Sequence, residues 1–194
     1  MPGLLQRSLI LATLSSLPVL TYAAELYKVE MLVFANETGI GTQQEYWPDI
    51  SPIDVSGAVF PRSWDGHPLE AFEELPRNDL RLSADASRLA RSGDYRVLYH
   101  GGWLQPIGSR NQARSVRVKA STEGYELDGS ISVYRNRFLH AQPNLQLSRH
   151  SAARDQTGAY RPAAWMLQDA RRMRSNEVHY IDHPHMGILM IIRQ

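Results

Sequence analysis

The sequence predicts an α+β fold: a mostly antiparallel sheet, one principal helix and a long, loop-rich early insertion. Three observations lead there. Several segments alternate apolar and polar residues at the two-residue period of a half-buried strand. The clearest start and stop signals of a helix fall at 83–93. The stretch 36–78 shows no clear period and holds Pro48, Pro52, Pro61, Pro68 and Pro76, more turn-forming residues than a regular element tolerates.

The first strand is Leu26 to Phe34, with Lys28 and Glu30 on one face and Tyr27, Val29, Met31 and Val33 on the other. Residues 36–78 read as either a functional insertion or a partly mobile excursion, and Tyr46, Trp47, Phe60, Trp64 and Phe72 suggest ordered packing against the body. The helix has Ser83 as N-cap, Asp85 in its first turn, Arg88 and Arg91 near its end and Gly93 closing it. Ala86, Leu89 and Ala90, with Leu82, give it a modest apolar stripe to lay on a sheet.

Tyr95 to Leu104 returns to strand character, with Tyr95, Val97, Tyr99 and Trp103 assigned to one face. Gly101-Gly102 inside it predicts a bulge or a close backbone approach. Three short antiparallel strands follow at 115–120, 125–134 and 138–147, with Asn136-Arg137 as the turn between the last two. Residues 164–173 read as a further strand, with a helix over 165–171 as the alternative. Gly187 to Ile192 is apolar on both faces, which places it centrally, beside the first strand.

The chain has 194 residues, and at about 150 residues per domain this is one domain. Residues 1–23 read as a signal peptide. Arg7 supplies the positive start, Leu9 to Leu20 a short apolar core, and Thr21-Tyr22-Ala23 the small residues before cleavage after Ala23. A core of about a dozen residues falls short of the roughly 20 needed to span a bilayer, and no later segment is long and apolar enough. The expected working molecule is a single exported domain, 24–194, without a transmembrane segment. Arg7 is the only charge removed, leaving 20 basic and 20 acidic groups.

Those charges are segregated. Residues 25–94 carry 13 Asp and Glu against 6 Lys and Arg, net −7, and residues 95–194 carry 7 against 14, net +7. Apart from Lys28 and Lys119, every cation in the working molecule is Arg. Arginine offers a planar fork that grips carboxylate or phosphate through two bonds. A net charge near zero argues against a nucleic-acid binder held by bulk electrostatics.

Catalytic chemistry finds little support. With no Cys, thiolate nucleophiles, disulfides, Cys-ligated zinc and lipid attachment at a Cys are excluded. Glu25 and Val116 stand three residues before the only two lysines, so no Ser-x-x-Lys exists. Gly-x-Ser-x-Gly, His-Glu-x-x-His and a Walker motif are missing too. Nothing in the linear sequence pairs two carboxylates across a cleft as a glycosidase requires. His179, His183 and His185, with Asp182 between, have the one metal-like spacing, but Pro184 and Gly187 break up the helix that would align them. Asp182 and His183 instead read as the brace of a turn. No metal or cofactor is expected.

Arg171-Arg172-x-Arg174 is the densest cationic run, with His179 and Tyr180 just downstream. The whole stretch Arg171-Arg-Met-Arg-Ser-Asn-Glu-Val-His-Tyr-Ile-Asp-His-Pro-His-Met-Gly187 resembles the C-terminal signature of the CsiV family, periplasmic proteins of gamma-proteobacteria that bind peptidoglycan. Met186 stands where that family more often has Phe. Tyr27-x-Val-Glu-x-Leu-Val-Phe34, Tyr95-Arg-Val-Leu-x-His100 with Trp103-x-Gln-Pro106, and the 129–147 hairpin agree in the same order.

The resemblance implies a non-enzymatic periplasmic protein with peptidoglycan as its ligand. It also implies as partners a bifunctional penicillin-binding synthase and the outer-membrane lipoprotein that activates it. Chemistry then nominates the contact residues. Arg171, Arg172 and Arg174 suit the carboxylates of peptide stems, and His179 adds a polar group beside them. Tyr99, Trp103 and Tyr180 suit stacking against sugar rings, with a place in the core as the alternative reading of Trp103. Two other classes stay open: an adaptor that binds the synthase or lipoprotein and touches glycan only indirectly, and a wall hydrolase.

Overall fold

The computed structural model describes residues 25–38, 52–149 and 163–194. The signal segment, with Ala23, lies outside them. The described residues contain nine strands and one α-helix, α1 (Ser83–Arg91). β1 (Leu26–Asn36), β2 (Tyr95–Pro106), β8 (Val178–His183) and β9 (Met186–Arg193) form one sheet, ordered β2-β1-β9-β8. β3 (Ser115–Thr122), β4 (Tyr125–Arg135), β5 (Leu139–Arg149) and β6 (Ala163–Leu167) form a second, ordered β3-β4-β5-β6, with β7 (Arg171–Met173) also on β5. All these pairings are antiparallel. The expectation of a mostly antiparallel fold with one helix holds; the single sheet becomes two.

The two sheets pack face to face. One buried cluster joins Tyr27, Val29, Met31 and Val33 of β1 and Met190 and Ile192 of β9 to Leu127, Ile131, Leu145 and Leu147 of the other sheet. Both sheets thus bury one face and show the other to the outside. β9 lies between β1 and β8, as its unbroken apolar run requires.

Helix α1 lies on the outer face of the first sheet, where Leu82, Ala86 and Leu89 meet Leu32 and Ile191. Its N-cap is Leu82 rather than Ser83, whose hydroxyl instead reaches the Leu80 carbonyl at 3.4 Å. A side chain from the sheet does the anchoring. Glu30 accepts the backbone N–H groups of Arg81 and Leu82 at 2.7 and 2.8 Å, setting a carboxylate at the positive end of the helix.

The face assignment for β2 fails at one residue. Val33 pairs with Tyr99 but Phe34 pairs with Val97, so Leu98 is an extra residue that shifts the register. Tyr99 and Trp103 therefore face the core, while Tyr95 and Val97 face outward with Phe34. The bulge lies upstream of Gly101-Gly102, which serves the close approach: a Cβ on Gly102 would come within 2.8 Å of the Val29 carbonyl oxygen and Leu75.

β6 and β7 are two pieces of the strand expected over 164–173. Leu167 pairs with Leu145 and Arg171 with Ala141 in one continuous register on β5. The interruption at 168–170 falls opposite Pro143, which has no N–H to add to a ladder. The link between β4 and β5 is 136–138, one residue longer than the predicted turn.

Of the expected insertion, residues 39–51, with Tyr46 and Trp47, lie outside the described residues. Residues 52–78 contribute isolated bridges, Val59 to Val116 and Glu74 to Trp103, which occupy the outer edges of β3 and β2. Phe72 packs on the core as expected. Phe60 and Trp64 do not, being 64% and 38% exposed. Arg117 lies over the Phe60 ring, and the Trp64 N–H donates to the nearby His67 carbonyl. Among the described residues no helix is long and apolar enough to cross a membrane.

Candidate functional site

β7 carries Arg171 and Arg172 along the second sheet, with Arg172 opposite His140 of β5 on the outer face. Met173 points into the core between the exposed Arg172 and Arg174. The chain then turns, and His179 of β8 folds back so that its Nε2 accepts the Arg174 backbone N–H at 2.9 Å. Arg171, Arg172, Arg174 and His179 thereby line one shallow concavity of about 420 Å³. Arg174 also reaches Glu177 at 3.7 Å, an exposed pair that contributes little. Among the described residues no carboxylate lies within ion-pair distance of Arg171 or Arg172. The concavity presents guanidinium groups ready to receive an anion.

Tyr180 belongs elsewhere. Its side chain lies on the outer face of the first sheet, opposite Leu189, and hence on the far side of the sandwich from Arg172. There it stacks on Phe34, with centroids 6.2 Å apart and planes 4° from parallel, while Tyr95 meets Phe34 edge-on at 5.3 Å. Gly187 makes this possible, since a Cβ there would fall within 2.5 Å of the Phe34 ring and 2.8 Å of the Tyr180 ring. Tyr180 is 45% exposed, and its hydroxyl donates to Asp182 at 2.7 Å. Burial first, and then that hydrogen bond, push the phenol pKa upward. Nothing local in the sequence marks Phe34 and Tyr95, because their meeting depends on strand order and on the bulge at Leu98.

Trp103 is not a surface residue. It is fully buried opposite Val29, and its indole N–H donates to Gln105 at 2.5 Å inside the core. No sugar can stack on it. Tyr99 is half-buried against the same core and borders a groove shared with Glu74, Arg77, Ser83 and His100. Burial, then the charge of Glu74, raise its phenol to about 12.

The turn between β8 and β9 is braced by His183, whose Nδ1 accepts the His185 backbone N–H at 3.2 Å. Asp182 is turned outward to Tyr180 instead. His185 stacks on Trp165 at 4.3 Å. His179 and His183 share a face of β8, but four residues of extended strand set them about 13 Å apart, too far to share a metal. Among the described residues no group of three potential ligands gathers.

The groups brought together are thus cations on one side of the sandwich and aromatic rings on the other. No curated protein and no solved structure matches the chain. A family model described as "Peptidoglycan-binding protein, CsiV" matches residues 4–194, nearly the whole sequence and both sheets. The chain therefore belongs to the CsiV family of peptidoglycan-binding proteins.

Proposed function

We propose that this protein is a non-catalytic periplasmic accessory that binds peptidoglycan through the arginine side of the second sheet. In this reading residues 1–23 direct export, cleavage follows Ala23, and 24–194 form one working domain that includes the loop-rich stretch 36–78. The observation that carries the reading is the concavity of Arg171, Arg172, Arg174 and His179 in a chain whose family is described by peptidoglycan binding. Stem peptides of peptidoglycan end in and display free carboxylates, which match the guanidinium fork. Co-sedimentation of the purified mature protein with sacculi tests this. Arg172→Ala with Arg174→Ala is expected to weaken retention about five- to tenfold and to flatten its salt dependence. Unchanged retention by a folded double variant would remove the arginines from the site.

A second reading concerns partners, and the Tyr180 face favours it. Phe34, Tyr95 and Tyr180 form an aromatic patch on the side away from the cations, as an adaptor contacting a synthase and its lipoprotein would need. The two roles then use opposite faces of one sandwich. Tyr180→Ala is expected to leave sacculus retention unchanged and to lower capture of a bifunctional penicillin-binding synthase or its activating lipoprotein. Equal capture by wild type and variant would remove Tyr180 from that role. Release of muropeptides from sacculi by the purified protein would overturn the non-catalytic reading.

A further inference from the structure

The cationic surface continues beyond β7, across the open end of the second sheet. Tyr134 of β4, His140 of β5 and Arg172 of β7 occupy neighbouring positions on one outer face, because Tyr134 pairs with His140 and His140 with Arg172. The Tyr134 and His140 rings stack with centroids 5.0 Å apart and planes 8° from parallel. Arg110, from the turn before β3, lies over Tyr134 at 5.5 Å. At the other end Phe138, in the link between β4 and β5, has Arg172 at 4.5 Å and Arg137 at 5.5 Å from its centroid. Cations and rings thus follow one another across three strands.

Resting on a ring fixes a guanidinium in place by cation–π attraction, yet leaves its N–H groups at the edge free to bond. Arg137 and Arg172 put two positive charges against one ring. Among the described residues neither they nor Arg110 has a carboxylate within ion-pair distance; Arg110 has only the Gln142 side-chain oxygen, at 3.4 Å. Two like charges held together without a counter-charge favour an anion from outside. Arg110 and Arg137 lie in turns and Arg172 on a strand, so three separate segments converge on one surface.

We propose that Arg110, Arg137 and Arg172, held on Tyr134 and Phe138, form a track that binds successive stem-peptide carboxylates of peptidoglycan. The proposal rests on the peptidoglycan-binding reading and deepens it, extending the carboxylate site from the β7 concavity to Arg110, Arg137 and the rings that seat them. A polymer with repeated carboxylates gains from several aligned forks, because each further contact is made within the same complex.

The test is co-sedimentation with intact sacculi and with sacculi whose stem carboxylates have been converted to amides. Arg137→Gln with Arg172→Gln is expected to weaken retention on intact sacculi about tenfold. Wild type should lose a similar factor on amidated sacculi, where the variant should lose little more. Lysine at both positions should restore only part of the binding, since it returns the charge without the fork. Phe138→Ala should weaken retention roughly three- to fivefold with both cations still present. Thermal unfolding confirms that each variant is folded. Wild type held equally by intact and amidated sacculi, or Gln and Ala variants that bind as wild type, would overturn the track while leaving peptidoglycan binding in place. Failure of wild type to sediment with intact sacculi would remove both.

Discussion

Replacing Glu30 by alanine is expected to destabilise the protein by about 3–5 kcal/mol, the cost of breaking a buried charge network from one side. The carboxylate is fully buried and has four neighbours to satisfy. It accepts from the Arg81 and Leu82 backbones and from His100 Nε2 at 3.0 Å, and it lies 3.8 Å from Arg193. Alanine would strand three donors and take one of two carboxylates from the buried Arg193, which keeps Asp79 at 3.3 Å. Helix α1 has no fully buried residue of its own, so its seat on the sheet depends on this anchor and on the small cluster around Leu32. The readout is a fall in Tm on the order of 10 °C, with loss of amide protection in α1 ahead of the sheets. A Tm within 2 °C of wild type would show that the network contributes nothing.

The same network has a pH signature. Burial pushes the Glu30 pKa up, but the hydrogen bonds from His100 and from the Arg81 and Leu82 backbones outweigh it, so the native value lies below the ordinary 4.5. A carboxyl with a lowered native pKa adds stability that is complete above its unfolded value and fades as pH falls through the native one. The gap in Tm between wild type and Glu30→Gln should therefore be constant near neutrality and narrow below about pH 4.5. A gap that stayed constant into acid would mean that the charge of Glu30 is not what stabilises the fold.

Glu30 also marks the limit of what the sequence discloses. Its place on the polar face of β1 follows from alternation alone. That this face is covered by a helix 50 residues later does not, because nothing local near residue 30 refers to residues 81 and 82. The division into two sheets escapes notice for the same reason: β1 finds β9 across some 160 residues, and strand period says which face is apolar but not which partner lies alongside. Where local chemistry decides, as in β1, β3, β4 and β5, the strands were readable. At Leu98 a single extra residue inverts the parity of β2, so that Tyr95 lies out beside Phe34 while Trp103 stays in the core.

The candidate site was legible in part. Arg171, Arg172, Arg174 and His179 do gather, since a strand, a turn and a returning strand keep them close. Tyr180 is adjacent to His179 in sequence, but adjacent residues of a strand point to opposite sides, and β8 has by then joined the other sheet. Arg110 and Arg137 carry no local signal, because their rings, Tyr134 and Phe138, come alongside Arg172 only through the β4-β5-β7 register.

Gly129→Ala is the second change expected to act strongly, and it separates loss of fold from loss of site. Gly129 has φ +148°, a conformation that side-chain-bearing residues rarely adopt. A Cβ there would run into the Asn144 carbonyl oxygen and come within 2.8 Å of the Leu145 Cα, both backbone atoms of the neighbouring strand. Backbone cannot swing aside as a side chain can, so the β4–β5 pairing must open where sheet two is centred. Arg117 adds to the penalty, because its guanidinium donates to the Gly129 carbonyl at 2.5 Å and any shift strands it. The expected cost is more than about 3 kcal/mol. Sacculus retention should then vanish together with the folded state on warming, yet match wild type at temperatures where the variant is still folded. An arginine variant of the same sheet should do the reverse, keeping its Tm and losing retention at every temperature. If Gly129→Ala kept the wild-type Tm, β4 would have room that this register denies it. If it lost retention while fully folded, the binding surface would have to extend to the centre of the sheet rather than lie at its arginine-bearing end.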